Sequence, residues 1–202
     1  MQDQKNINLE STEEKEKGNF EKIKDSAVEF FKFAIIALII VLPIRTFIAQ
    51  PFIVSGDSMF PTFHNGEYLI VDELSYNLKK IHRGDVVIFR FPGNTKKFFI
   101  KRIVGLPNET IKIDGGNIKI INDENPDGFN IEEPYIVENF YTENTYTTKD
   151  DEYFVMGDNR NRSSDSRSWG TVPEKLLVGR AYLRLFPVPQ ASYLPGSLNK
   201  YQ

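Results

Sequence analysis

The sequence predicts a mainly β fold: a single N-terminal transmembrane helix followed by an extracytoplasmic antiparallel β domain. Three observations carry this reading. One stretch, FFKFAIIALIIVLPIRTFI from Phe30 to Ile48, is almost wholly apolar in a chain whose mean hydropathy is only −0.38. Beyond it, short β-branched and aromatic runs follow one another between Pro, Gly and Asn punctuation. Among them, TIKID-GG-NIKII reads as two strands joined by a two-residue hairpin turn at Gly115-Gly116.

The elements follow in order. Residues 1–29 are rich in lysine and glutamate, with Phe20 the only aromatic before position 30, and form a charged tail that cannot bury enough surface to offset its ordering entropy. Residues 30–48 are read as the span. The uncharged centre, Phe33 to Ile44, is only about 12 residues, but Lys32 and Arg45 lie near its ends, where long side chains reach the interface; the whole then approaches the ~20 residues a bilayer needs. AIIALIIVL is apolar all round, unlike an amphipathic core helix, and RTFIAQPF makes a poor cleavage site for a removable leader. Lys15, Lys17, Lys22, Lys24 and Lys32 precede the span, so the positive-inside rule places the N-terminus in the cytoplasm and the remainder outside the plasma membrane.

Residues 49–189 hold the strand-like runs YLIVDEL, GDVVIFRFP, KFFIKRIVG, ETIKI, NIKII, YFVMGD and VGRAYLRLF. The polar, aromatic stretch from Asn122 to Asp151 has a weaker pattern and reads as an excursion from the sheet. Residues 190–202 are left as a C-terminal tail.

Composition narrows the chemistry. With 25 basic against 28 acidic side chains and a net charge of −3, there is no global field to attract nucleic acid. The absence of cysteine removes disulfides, thiol catalysis and zinc–thiolate sites. Only His64 and His82 could supply imidazole, and each is read as exposed or structural. No metal-ligand spacing or phosphate-binding glycine loop occurs, so neither a metal nor a cofactor is expected.

Three segments stand out. SGDSMFPT, Ser55 to Thr62, carries Ser58 on a glycine-containing turn that can point backbone N–H groups at whatever the hydroxyl attacks. Lys101, in FFIKRIV, shares a strand face with Phe99 and Ile103, while Ile100 and Arg102 point the other way. A lysine on an apolar face is costly unless neutral or paired, and burial lowers its pKa towards that of a useful general base. The run GDNRNRSSDSRSWG, Gly157 to Gly170, is dense enough in Asp, Asn, Arg and Ser to knot itself through Arg–Asp pairs and fix a hydroxyl in place. Together they suggest a serine nucleophile with a lysine base and an orienting loop, a pairing that dispenses with histidine.

In that order, the span, SGDSMFPT, RGDVVIFRFP, FIKRIVGLPNE, MGDNRNRSSDSRSWG and VGRAYLRLFP resemble the type I (leader) signal peptidases, membrane-bound Ser–Lys endopeptidases, in the single-span form common among Gram-positive enzymes. The resemblance covers nearly all of the chain after the tail. It implies a β domain of the signal peptidase type and cleavage of signal peptides from exported preproteins after a small-x-small motif, beside the lipid bilayer. Ser58 is then the nucleophile, Lys101 its general base and Ser163 the hydroxyl that orients the lysine. Asp165 and Arg167 are implied as the pair holding the loop, with Asp158 and Arg160 supporting it. The oxyanion falls to the Ser58 N–H, and Gly56 lacks the side-chain donor that some members carry two residues before the nucleophile. Apolar pockets for small side chains map by position to Phe52, Val54, Met59 and Ile100. The self-cleaving repressors share the Ser–Lys chemistry but require an upstream DNA-binding domain, where this chain has a charged tail and an apolar run.

Overall fold

The computed structural model describes residues 26, 28–41, 49–74 and 81–198. Two units result, and the N-terminal one is represented by a single helix, α1, over residues 28–41. Its apolar side chains are exposed around the whole circumference, Phe30, Phe33 and Ile39 among them. At 1.5 Å per residue the described residues 28–41 span about 21 Å. Among the described residues no helix is long and apolar enough to cross a membrane. The second part of the expected span, residues 42–48, lies outside the described residues, as does the charged tail before residue 26.

Among the described residues the strands of the second unit all pair antiparallel. Its strands are β1 (Ala49–Ile53), β2 (Tyr68–Asp72), β3 (Val86–Phe91), β4 (Asn94–Gly105), β5 (Thr110–Asp114), β6 (Asn117–Asn122), β7 (Asn125–Asn130), β8 (Asn144–Thr147), β9 (Glu152–Met156), β10 (Val172–Pro173), β11 (Leu177–Phe186) and β12 (Ser192–Tyr193). One sheet runs β1-β2-β11-β3-β4-β9-β10, with β12 added on β11; a smaller one runs β7-β6-β5-β8. The β5–β6 hairpin has Asp114 opposite Asn117, and Gly115 and Gly116 both take positive φ (55° and 91°), the geometry that a tight two-residue turn demands.

Strand alternation sorts the side chains into three cores. On β3, Val86 and Ile88 pack with Val54, Met59, Phe63, Leu69 and Val71, while Val87 and Phe89 face the opposite way with Ile103, Val155 and Val172. A third cluster joins Val104, Phe154 and Met156 of the large sheet to Ile111, Ile113, Ile118 and Ile120 of the small one. The large sheet is therefore covered on both faces where β3, β4 and β9 meet. This is why β4 is continuously buried from Lys101 to Gly105.

Two regions differ from their sequence pattern. The stretch from Asn122 to Asp151 is an integral part of the small sheet, contributing β7 and β8, and it lays Phe129, Ile131, Phe140 and Tyr146 over the third core. These residues are spaced too irregularly to signal strands. The domain also continues past residue 189. β12 pairs with β11, Pro195 is buried, and the Gly196 carbonyl accepts a 2.5 Å hydrogen bond from Arg102 Nη1.

Candidate active site

Ser58 lies on the turn that follows β1, and Lys101 on β4. Lys101 Nζ is 2.7 Å from Ser58 Oγ and 2.9 Å from the Ile100 carbonyl oxygen. The two residues, 43 apart in sequence, meet because Val54 and Met59, flanking the turn, are anchored in the same core as Val86 and Ile88 of β3. β3 pairs with β4, with Val87 opposite Lys101. On the other side, Asn159 N–H donates to the Ser58 carbonyl (3.0 Å) and Asn159 Nδ2 to the Asp57 carbonyl (3.1 Å), tying the turn to the 157–163 loop.

Lys101 is only 4% exposed. Both of its hydrogen bonds go to neutral oxygens, so burial dominates and lowers its pKa from the usual 10.5 to about 8, against the opposing pull of Asp165 and then Asp158. At pH 7 that raises the neutral-amine fraction by roughly 300-fold over an exposed lysine. In the neutral form the Ser58 hydroxyl can donate to Nζ, the arrangement that a lysine general base requires.

The loop beneath is held by arginine–carboxylate pairs. Asp165 accepts from Arg167 Nε (2.8 Å) and Nη2 (2.9 Å), and also from Gly157 N–H (3.1 Å). As N-cap of the short helix α2 (Ser166–Trp169), it accepts from Arg167 N–H as well. Arg167 Nη2 reaches on to the Arg160 carbonyl (2.6 Å). Asp158 does not pair with Arg160. It forms a bidentate pair with Arg102 (2.8 and 2.6 Å) and accepts from Thr62 Oγ1 (2.5 Å). Arg160 pairs with Glu133, through Nη1 at 2.8 Å and through a second, shorter contact from Nη2.

Ser163 Oγ is buried without a hydrogen-bond partner, and Lys101 makes its contacts elsewhere. A Cβ at Gly157 would collide with Ser163 Oγ and with the Ser58 carbonyl oxygen at once. Only glycine lets the loop and the serine turn approach this closely.

A cleft of about 460 Å³ opens beside the pair. It is lined by Phe52 to Ser55, within and just after β1, and by Lys97 to Lys101 of β4, together with Ile88, Ser58 and Ser164. Phe52, Val54 and Ile100 are among the residues that line it. Met59 does not line the cleft: it is 1% exposed and fills the first core, because the turn that presents Ser58 points the next side chain inward. His64 and His82 stand apart, half exposed, beside Glu67 and Asp85.

Three residues of the network escaped the sequence reading. Arg102 looked like an outward neighbour of Lys101, since a two-sided core cannot be seen from one strand's pattern. Glu133 and Tyr135 sit in the irregular excursion, where no motif flags them.

A lysine amine brought towards neutrality, in contact with a serine hydroxyl at the head of an apolar cleft, defines a class: serine hydrolases that need no histidine. Comparison with known proteins narrows the class. The family model "Signal peptidase, peptidase S26" matches residues 27–186. A protein described as "Probable signal peptidase I-2" from Synechocystis is 37% identical over 173 residues, covering 83% of this chain and 77% of that protein. "Signal peptidase I T" of Bacillus subtilis is 34% identical over 200 residues, 93% of this chain and 96% of that protein. A crystal structure of a signal peptidase I from Enterococcus faecalis is 31% identical, with a TM-score of 0.44, covering 50% of this chain and 97% of that one. The chain belongs to the signal peptidase family, peptidase S26, and is a serine endopeptidase.

Proposed function

We propose that this endopeptidase removes N-terminal signal peptides from exported preproteins after a small-x-small motif, with Ser58 as nucleophile and Lys101 as general base. The observation that carries the reading is the 2.7 Å contact between Lys101 Nζ and Ser58 Oγ in a buried setting. Ser58 Oγ attacks the scissile carbonyl carbon as its proton passes to Lys101 Nζ, giving a tetrahedral oxyanion that faces the Ser58 N–H. The Lys101 ammonium returns that proton to the departing amine, and the C–N bond breaks to leave an ester on Ser58. Water then attacks the ester while Lys101 takes its proton and passes it to Ser58 Oγ, releasing the new carboxyl terminus.

Ser163, whose buried hydroxyl is free, crowds the same face of Gly157 as the Ser58 carbonyl and is the orienting group. Asp165 with Arg167, and Asp158 and Arg160 with their partners, hold the loop. Phe52, Val54 and Ile100 shape the subsites, whose apolar walls reject large side chains by size. Helix α1, apolar on every side, is the described part of a single membrane anchor with the N-terminus in the cytoplasm and the β domain on the outer face. Its substrates are signal-peptide-bearing preproteins reaching the bilayer surface.

The test is in vitro processing of a preprotein in detergent or lipid. S58A protein, folded as judged by circular dichroism, should lose on the order of 10⁴-fold or more of the wild-type rate. Processing by S58A at the wild-type rate would overturn the assignment.

A further inference from the structure

Arg102 and Arg160 are both nearly fully buried, and each supports the catalytic loop: Arg102 through Asp158, Arg160 through a 3.1 Å bond from its Nε to the Gly157 carbonyl. Between them lies a short piece of the excursion, Glu133-Pro134-Tyr135. The Arg102 guanidinium stacks over the Tyr135 ring at 3.9 Å. The Tyr135 hydroxyl donates to Glu133 Oε1 (2.6 Å), and Glu133 takes Arg160 with both oxygens. One segment of the small-sheet lobe therefore touches both arginines.

We infer that Glu133, with Tyr135, is a positioning residue for the Ser58–Lys101 pair, acting through Arg160 and Arg102 on the Gly157–Asp158 backbone. The inference rests on the Ser–Lys reading above. Its physical basis is charge as well as shape. Lys101 faces the Asp165 and Asp158 carboxylates, which raise its pKa, and those carboxylates are held by Arg167 and Arg102. Arg160 faces Glu133, Tyr135 and Asp158, with the Phe140 ring at 4.8 Å. Glu133 is the carboxylate paired with Arg160. Without it a buried guanidinium beside Gly157 is left uncompensated and turns to Asp158, weakening that carboxylate's hold on the Lys101 ammonium. The Lys101 pKa then falls, and the loop carrying Ser163 shifts with Arg160. Tyr135 stays a hydrogen-bond donor throughout, because burial and then Glu133 push its pKa well above 10.

The experiment compares preprotein cleavage by full-length wild type, S58A, E133Q, E133D and Y135F across pH 5–10, with folded fractions measured by thermal unfolding. For E133Q we expect kcat to fall roughly 10- to 100-fold with KM little changed, as for a displaced catalytic geometry. Its acidic limb should move down by about half a pH unit, the sign of a lost negative charge. E133D, which keeps the charge, should restore the limb. E133Q with wild-type kcat and limb, once corrected for folded fraction, overturns the inference. If E133Q does not fold, Y135F decides: it retains every charge and should lower kcat several-fold at unchanged KM, and an unchanged kcat overturns the proposal. Activity in S58A would instead overturn the Ser–Lys reading itself, so the two failures are distinct.

Discussion

Lys101 and Arg102 are adjacent on β4, both cationic in water and both buried, yet the fold treats them oppositely. Arg102 is 1% exposed and meets a bidentate carboxylate, two backbone carbonyls and an aromatic face. Its charge is held: burial is the largest single influence and lowers its pKa, but Asp158, Tyr135 and Glu133 together raise it above the ordinary value. Lys101, on the other face, is offered a serine hydroxyl and one peptide carbonyl, with its carboxylates kept at a distance and already occupied by arginines. Its charge is discouraged. Burial is thus not itself a device for catalysis; what matters is which buried cation is denied a partner. A guanidinium suits the structural role because its planar fork matches a carboxylate and it does not deprotonate, whereas an amine shifts readily.

Breaking the Arg102 side of this contrast should have the largest effect. D158N leaves the guanidinium buried and unpaired, and should destabilise the domain by about 3–5 kcal/mol. Urea unfolding would show it. A loss below about 1 kcal/mol would mean that Arg102 finds compensation elsewhere. Replacing Lys101 should act in the other direction. With a folded pKa of about 8 against 10.5 unfolded, the folded state carries the protonated amine at a cost of roughly 3 kcal/mol below pH 8. Between pH 8 and 10.5 the unfolded chain binds more protons, so wild-type stability rises with pH across that window. K101M should therefore be the more stable protein at pH 7, and its advantage should shrink over the same window. Equal stabilities at pH 7 would place the amine in a more hydrated setting than its burial indicates. The gentlest test sharpens the contrast without mutation: because the base must be neutral, kcat/KM should rise with pH through an apparent pKa of about 8 and level off above it. A profile flat from pH 5 to 9 would remove Lys101 from that role.

Much of the site was legible before the fold. Ser58 was visible as a hydroxyl on a glycine-containing turn, and Lys101 stood out because a lysine on an apolar strand face is costly unless neutral or paired. The alternation that put Lys101 with Phe99 and Ile103 holds, with Phe99 and Ile103 packed in one core and Nζ 5.4 Å from the Phe99 ring. The dense Asp-Arg-Ser loop was readable as a self-bonded knot, and Asp165 with Arg167 forms one of its pairs. The other pairings were not readable. Asp158 reaches 56 residues back to Arg102 and Arg160 27 back to Glu133, and nothing local distinguishes these partners from nearer ones. Met59 fails as a cleft residue for a related reason: a turn, unlike a strand, has no period from which to infer facing.

The sequence by itself determined the β architecture, the hairpin at Gly115-Gly116 and the types of group gathered at the candidate site. These follow from alternation, turn stereochemistry and a composition without cysteine and nearly without histidine. Only the tertiary structure decided which of two neighbouring cations holds its proton more weakly. A pKa is set by the groups that arrive from distant parts of the chain and by the water they displace. The large sheet is buried on both faces, Asp158 arrives beside Arg102, and Ser58 arrives beside Lys101. That is a property of packing, and no single strand's pattern contains it.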